Sequence, residues 1–148
     1  SSDLRDGGTV HYASCCQPIP GDSITGYLGR GEGLQIHASD CSVAVKLKQK
    51  DKERFIAVEW SDEPLRAFST TIVVTVQSGK GVLAKVAAAM ANAEADIKSV
   101  DLGRDSEVGA PTADLRFVID VRDTAHLDAV IRTLSRTPRV LKARRVNG

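Results

Sequence analysis

"ADLRFVIDV", residues 113–121, decides how the second half of the chain folds. Ala113, Leu115, Phe117, Ile119 and Val121 fall on one side of an extended backbone, and Asp114, Arg116 and Asp120 fall on the other. This is the period-two pattern of a strand that covers a core with one face only. Before it, "TTIVVTV" (70–76) predicts a strand, "GVLAKVAAAMANAEA" (81–95) a helix with Val82, Leu83, Val86 and Met90 on one stripe, and "DIKSVDL" (96–102) a second strand. After it, Asp123 is placed to cap a helix whose stripe is Leu127, Val130, Ile131 and Leu134, and "RVLKARRV" (139–146) closes as a strand behind Pro138. The order βαββαβ predicts a ferredoxin-like unit, a four-stranded antiparallel sheet with both helices on one face. Its other face is left for a partner.

The residues before this unit have a different grammar. From Thr9 to Trp60 glycines and short apolar runs alternate, punctuated by "PIPGD" (18–22) and "GRGEG" (29–33). A small α+β unit is expected, with one helix over "SVAVKLKQK" (42–50) and a last strand over "RFIAVEW" (54–60). "SDEPLRAFS" (61–69), with Pro64 at its centre, reads as a connection. The chain therefore divides into a tag or linker at 1–8, a small unit at 9–62, a linker at 63–69 and a second unit at 70–148.

Composition sets limits on function. The 148 residues carry a net charge of +1 and 42% hydrophobic residues, enough for a core but not for a whole-chain attraction to nucleic acid or membrane. The charge is uneven: the first 63 residues hold 7 Lys/Arg against 10 Asp/Glu, and the rest hold 13 against 9. Exposed basic candidates for partner contact are Arg30, Lys46, Lys48, Lys50, Lys52, Arg144 and Arg145. No run approaches the roughly 18 apolar residues of a membrane span, and the start lacks the apolar stretch of a signal peptide, so a cytosolic protein is expected.

All three cysteines, and two of the three histidines, lie in "HYASCCQPIPGD" (11–22) and "IHASDC" (36–41). His37 and Cys41 are four apart, and Ser39 or Asp40 is placed to cap the helix that follows. A thiolate at a helix start is favoured by the free amides and the dipole. Adjacent Cys15 and Cys16 reach one ion only if the chain turns there, which Pro18, Pro20 and Gly21 favour. Cys15, Cys16, His37 and Cys41 then read as a closed Cys3His zinc site, as a cluster of buried thiols, or as a Cys–His nucleophile with no evident third member.

The string "CCQPIPGDSITGYLGRGEGLQIHASDC" (15–41), followed by "RFIAVEW", resembles the zinc-finger-like RIS domain of the long RelA/SpoT homologues. These are the stringent-response enzymes that make and hydrolyse guanosine tetra- and pentaphosphate. The βαββαβ unit is similar to the ACT domain that ends the same proteins. The resemblance implies that Cys15, Cys16, His37 and Cys41 are the ligands of a structural zinc ion. It also implies that the catalytic domains lie upstream, so that these residues regulate a GTP/GDP pyrophosphokinase or (p)ppGpp hydrolase without catalysing a reaction themselves. The partners it implies are the ribosome and its RNA, the upstream catalytic domains, and a second copy through the ACT domain. In ACT domains the first βα loop takes an amino acid, which here points to Ser78, Gly79, Lys80, Gly81, Val82 and Leu83 and to a branched-chain ligand. Ser78 stands where the motif usually has an acidic residue. Gly81 also has a simpler reading, as a glycine packed in a βα turn.

Overall fold

The computed structural model describes residues 9–61, 66–102 and 109–147. The expected tag or linker at 1–8 and the first three residues of the expected linker at 63–69, including Pro64, lie outside them. The chain forms two compact units, one before Arg66 and one spanning Arg66–Val146.

In the first unit β1 (Val10–Tyr12), β2 (Ile24–Leu28), β3 (Leu34–Ala38) and β4 (Phe55–Ile56) form a sheet in the order β1-β3-β2-β4. β1 runs parallel to β3, and β2 is antiparallel to both β3 and β4. Gly33 makes the parallel pairing possible. Its φ is +80°, and a Cβ there would collide with the Thr9 carbonyl oxygen, which accepts from the Leu34 amide. The P-I-P-G-D turn closes on itself: Asp22 accepts from the Ile19 amide through Oδ2, and its own amide donates to the Ile19 carbonyl. That turn places fully buried Ile19 in the core.

α1 (Ser42–Lys50) follows, then a single 3-10 turn at Lys52–Arg54. The helix is capped by Cys41 itself, without a side-chain hydrogen bond, and not by Ser39 or Asp40. Those two residues form the turn that lets the Cys41 amide donate to the Ala38 carbonyl. The expected strand at 54–60 shortens to Phe55–Ile56. Beyond it the chain is held by side chains: the Trp60 indole N–H donates to the Asp22 carbonyl, and its ring lies parallel to Tyr12 at 5.8 Å between centroids.

The second unit runs β5 (Phe68–Gln77), α2 (Val82–Asn92), β6 (Asp96–Asp101), β7 (Thr112–Val121), α3 (Thr124–Ser135) and β8 (Val140–Val146). Its sheet is antiparallel in the order β6-β7-β5-β8, the ferredoxin-like arrangement expected from the sequence. Leu115, Phe117, Ile119 and Val121 are buried as the alternation requires, beside Ile72, Val74 and Val76 of the central strand. Val86 and Met90 of α2 and Leu127, Val130 and Leu134 of α3 complete the core. Each such side chain contributes about 1.5–3 kcal/mol by burial. Asp123 caps α3, accepting from the His126 amide at 2.8 Å. Leu83 departs from the expected stripe: it is exposed, whereas Val82 is buried.

The opposite face carries Ser69, Thr71, Val73 and Thr75, flanked in register by Asp114, Arg116 and Asp120 of β7 and by Lys142 and Arg144 of β8. Polar side chains knit this face together, with Thr75 donating to Asp114 and Ser69 to Asp120. Arg145 pairs with Ile72 and so points to the helix side. Arg144 and Arg145 therefore do not form one strip.

Candidate metal centre

Three segments converge on one point. The turn at Ser14–Cys16 is closed by the Gln17 amide donating to the Ala13 carbonyl, with Gln17 in the left-handed region at φ +47°. This turn directs both adjacent thiols inward, which an extended pair could not do. β3 supplies His37, and the N-terminus of α1 supplies Cys41.

The donor atoms of Cys15, Cys16, His37 and Cys41 all lie within 4.8 Å of one another. Cys15 Sγ is 3.5 Å from Cys41 Sγ, 3.6 Å from His37 Nδ1 and 4.0 Å from Cys16 Sγ, and Cys16 Sγ is 3.9 Å from His37 Nδ1. Metal–ligand distances of about 2.3 Å for sulfur and about 2.0–2.1 Å for nitrogen, arranged tetrahedrally, separate neighbouring donors by roughly 3.5–3.8 Å. The spacing therefore fits a Cys3His set, and the donor types are those that zinc prefers.

The electrostatics single out one thiolate. Cys41 is buried, but the Ala44 and Val43 amides and the neighbouring thiols outweigh burial and hold its pKa below the ordinary thiol value. Cys15 is pushed up by burial and by Cys41, and burial pushes Cys16 up to about 12. Burial also lowers His37, which favours the neutral, ligating imidazole. A nucleophilic reading needs a group that orients the histidine. His37 Nε2 is buried and has no hydrogen-bond partner among the described residues, so none of them serves as the third member such a dyad uses. Cys16 also accepts from the Ala38 amide at 3.2 Å, and Cys16, Cys41 and Ala44 form a small core with Ala13, Ala38 and Phe55 packed on it.

Residues 2–61 match the RelA/SpoT RIS domain, and residues 64–145 match an ACT domain. The chain belongs to the RelA/SpoT family. It is 30% identical over 138 residues to the GTP pyrophosphokinase of Escherichia coli K12, covering 93% of this chain and 18% of that protein. It is 34% identical over 140 residues to the bifunctional (p)ppGpp synthase/hydrolase SpoT of the same organism, covering 95% and 19%. The chain thus spans about a fifth of the length of the curated relatives it matches. Among solved structures, the ACT domain of GTP pyrophosphokinase from Chlorobium tepidum aligns over 55% of this chain and 100% of that one, with 15% identity and a TM-score of 0.46. Among the described residues no helix is long and apolar enough to cross a membrane.

The other sequence candidates are scattered. In the ACT unit Ser78, Gly79, Lys80 and Gly81 form an exposed loop, while Val82 turns into the core and leaves Leu83 as the loop's exposed apolar side chain. Gly81 caps α2 at φ +77°, and a Cβ there would meet nothing within 4 Å. Its left-handed conformation, and not close packing, is what calls for glycine. Arg139, which sequence reading missed, backs this loop: its guanidinium occupies the space a Gly79 side chain would need and donates to the Ser78 carbonyl at 3.3 Å. In the RIS unit Arg30, Lys46 and Lys48 are all exposed.

Proposed function

We propose that the chain is a non-catalytic regulatory region of a stringent-response enzyme. In this reading Cys15, Cys16, His37 and Cys41 hold a structural zinc ion that keeps the RIS unit in the shape its partners recognise. The convergence of four soft or borderline donors carries this reading. Bound there, the ion would cross-link the Ser14–Cys16 turn, β3 and the start of α1, a strong constraint on a unit whose own core is small. The names of the relatives support an upstream GTP pyrophosphokinase or (p)ppGpp hydrolase as the activity under control, and in this reading the protein is cytoplasmic. The RIS domain at 9–62 and the ACT domain at 70–148 then relay contacts with the ribosome and its RNA, with the catalytic domains and with a second copy.

Two measurements test it. Protein purified without added metal should contain about one zinc per chain, and Cys15→Ser should lose it. Co-sedimentation with ribosomes should weaken steeply with salt where Lys46, Arg30 and Arg144 meet phosphates; salt-independent binding would replace the RNA contact with protein contacts. The exposed loop at the start of α2, with Leu83 beside it, supports a second reading as a branched-chain amino-acid sensor. Calorimetry with valine, leucine and isoleucine at millimolar concentration tests it, and the absence of heat removes it.

A further inference from the structure

The RIS unit carries a groove of about 420 Å³ between α1 and the sheet edge at β4, whose lining combines apolar Ala44, Val45, Phe55 and Ile56 with polar Thr25 and Ser39 and the lysines Lys48 and Lys52. Three properties of this groove point to a ligand. Val45 is 44% exposed and Ile56 38%, so aliphatic surface is left in water on both walls. Neither Lys48 nor Lys52 has an acidic partner within 4.0 Å among the described residues, although Asp51 and Glu53 are close in sequence, and Lys48 lies 5.9 Å from the centroid of the Phe55 ring. β4 is also an edge strand: it pairs with β2, and no other strand among the described residues pairs with it.

We propose that this groove docks an extended protein segment that carries both aliphatic and acidic side chains among every second residue, the set that faces the groove. An added strand along β4 places alternate side chains toward the groove, where aliphatic ones cover Val45 and Ile56 and acidic ones meet Lys48 and Lys52. Nucleic acid fits less well. Phosphates would satisfy the lysines but leave the aliphatic walls uncovered, and Phe55, the groove's aromatic ring, is already faced by Lys48 and Tyr27. The floor matters for regulation, because Ala44 belongs to the small core that includes Cys16 and Cys41, and Phe55 packs against that core. The inference rests on the reading of the RIS unit as a zinc-held interaction module and supplies the class of partner.

The test is methyl-detected NMR on the whole zinc-loaded chain, titrated with a soluble peptide in which every second residue is leucine, valine or glutamate in turn with serine between, and separately with a uridine decamer. The peptide should shift the methyls of Val45, Ile56, Ala44 and Ala57. Lys48→Glu with Lys52→Glu should weaken it at least tenfold, while Lys46→Glu with Lys50→Glu, outside the groove, should change affinity less than twofold. Val45→Asp, at an exposed position, gives a second disruption, and each variant's spectrum reports its fold. The proposal is overturned if the peptide leaves these methyls unmoved, if the decamer moves them and the peptide does not, or if both lysine pairs matter equally. Zinc content measured on the same sample separates this failure from failure of the zinc reading.

Discussion

His126 belongs to the ACT unit and sets the geometry of that unit. It is 6% exposed, on the first turn of α3. The Arg122 amide donates to its Nδ1 at 3.0 Å, so the proton sits on Nε2, which donates to the Ala93 carbonyl at 2.8 Å. One ring therefore ties the start of α3 to the end of α2. His126→Ala removes both hydrogen bonds and strands a backbone N–H and C=O. At about 1 kcal/mol net per bond, and more where the partner stays buried, the expected loss is about 2–4 kcal/mol. For a unit of this size that lowers the midpoint by at least about 10 °C. The single tryptophan, Trp60, lies in the RIS unit, so its fluorescence follows that unit while far-ultraviolet circular dichroism follows both. The ACT transition should move and the Trp60 transition should not. His126→Phe keeps an apolar ring but no hydrogen bonds, and should remain about 2 kcal/mol less stable than the parent. If the phenylalanine variant regains full stability, the ring acts by packing and the hydrogen-bond argument is wrong.

Further outcomes follow from the RIS unit. Gly33→Ala, at φ +80° against the Thr9 carbonyl, should cost more than about 2 kcal/mol, whereas Gly31→Ala, at φ +78° in open space, should cost about 1 kcal/mol; Trp60-monitored unfolding separates them. In metal-stripped protein Cys16 should be the last thiol alkylated, because it is buried and its pKa is pushed up to about 12; mass mapping after timed iodoacetamide checks the order. Burial holds the folded-state pKa of His37 below the ordinary 6.5, so the folded chain binds fewer protons there than the unfolded one. The metal-free unit should therefore be most stable above about pH 6.5 and lose stability as pH falls toward and through the lower folded value. Denaturant midpoints across that range measure it.

The sequence was most legible where one period dominated. Alternation from Ala113 to Val121 and the cap at Asp123 placed β7 and α3, because a one-sided core imposes its period on every residue. It was least legible where single side chains do the holding. Residues 57–60 alternate like a strand, yet Trp60 is fixed by the Asp22 carbonyl and Tyr12 in place of a ladder. Leu83 sits at helical spacing but on the exposed side of α2's first turn. His126 had no signal beyond a histidine three residues after a capping aspartate, and Arg139 none beyond its place after a proline. The four cysteine and histidine positions were legible as a set, but only the turn at Ser14–Cys16 explains how two adjacent thiols face one point.

X-ray absorption at the zinc edge of the loaded protein reaches the coordination most directly. The account predicts three sulfur ligands at about 2.3 Å and one nitrogen at about 2.0–2.1 Å. Cys16→Ser should leave two sulfurs. A shell with fewer than three sulfurs in the parent protein, or one dominated by oxygen, would contradict the assignment of Cys15, Cys16, His37 and Cys41 as one closed site.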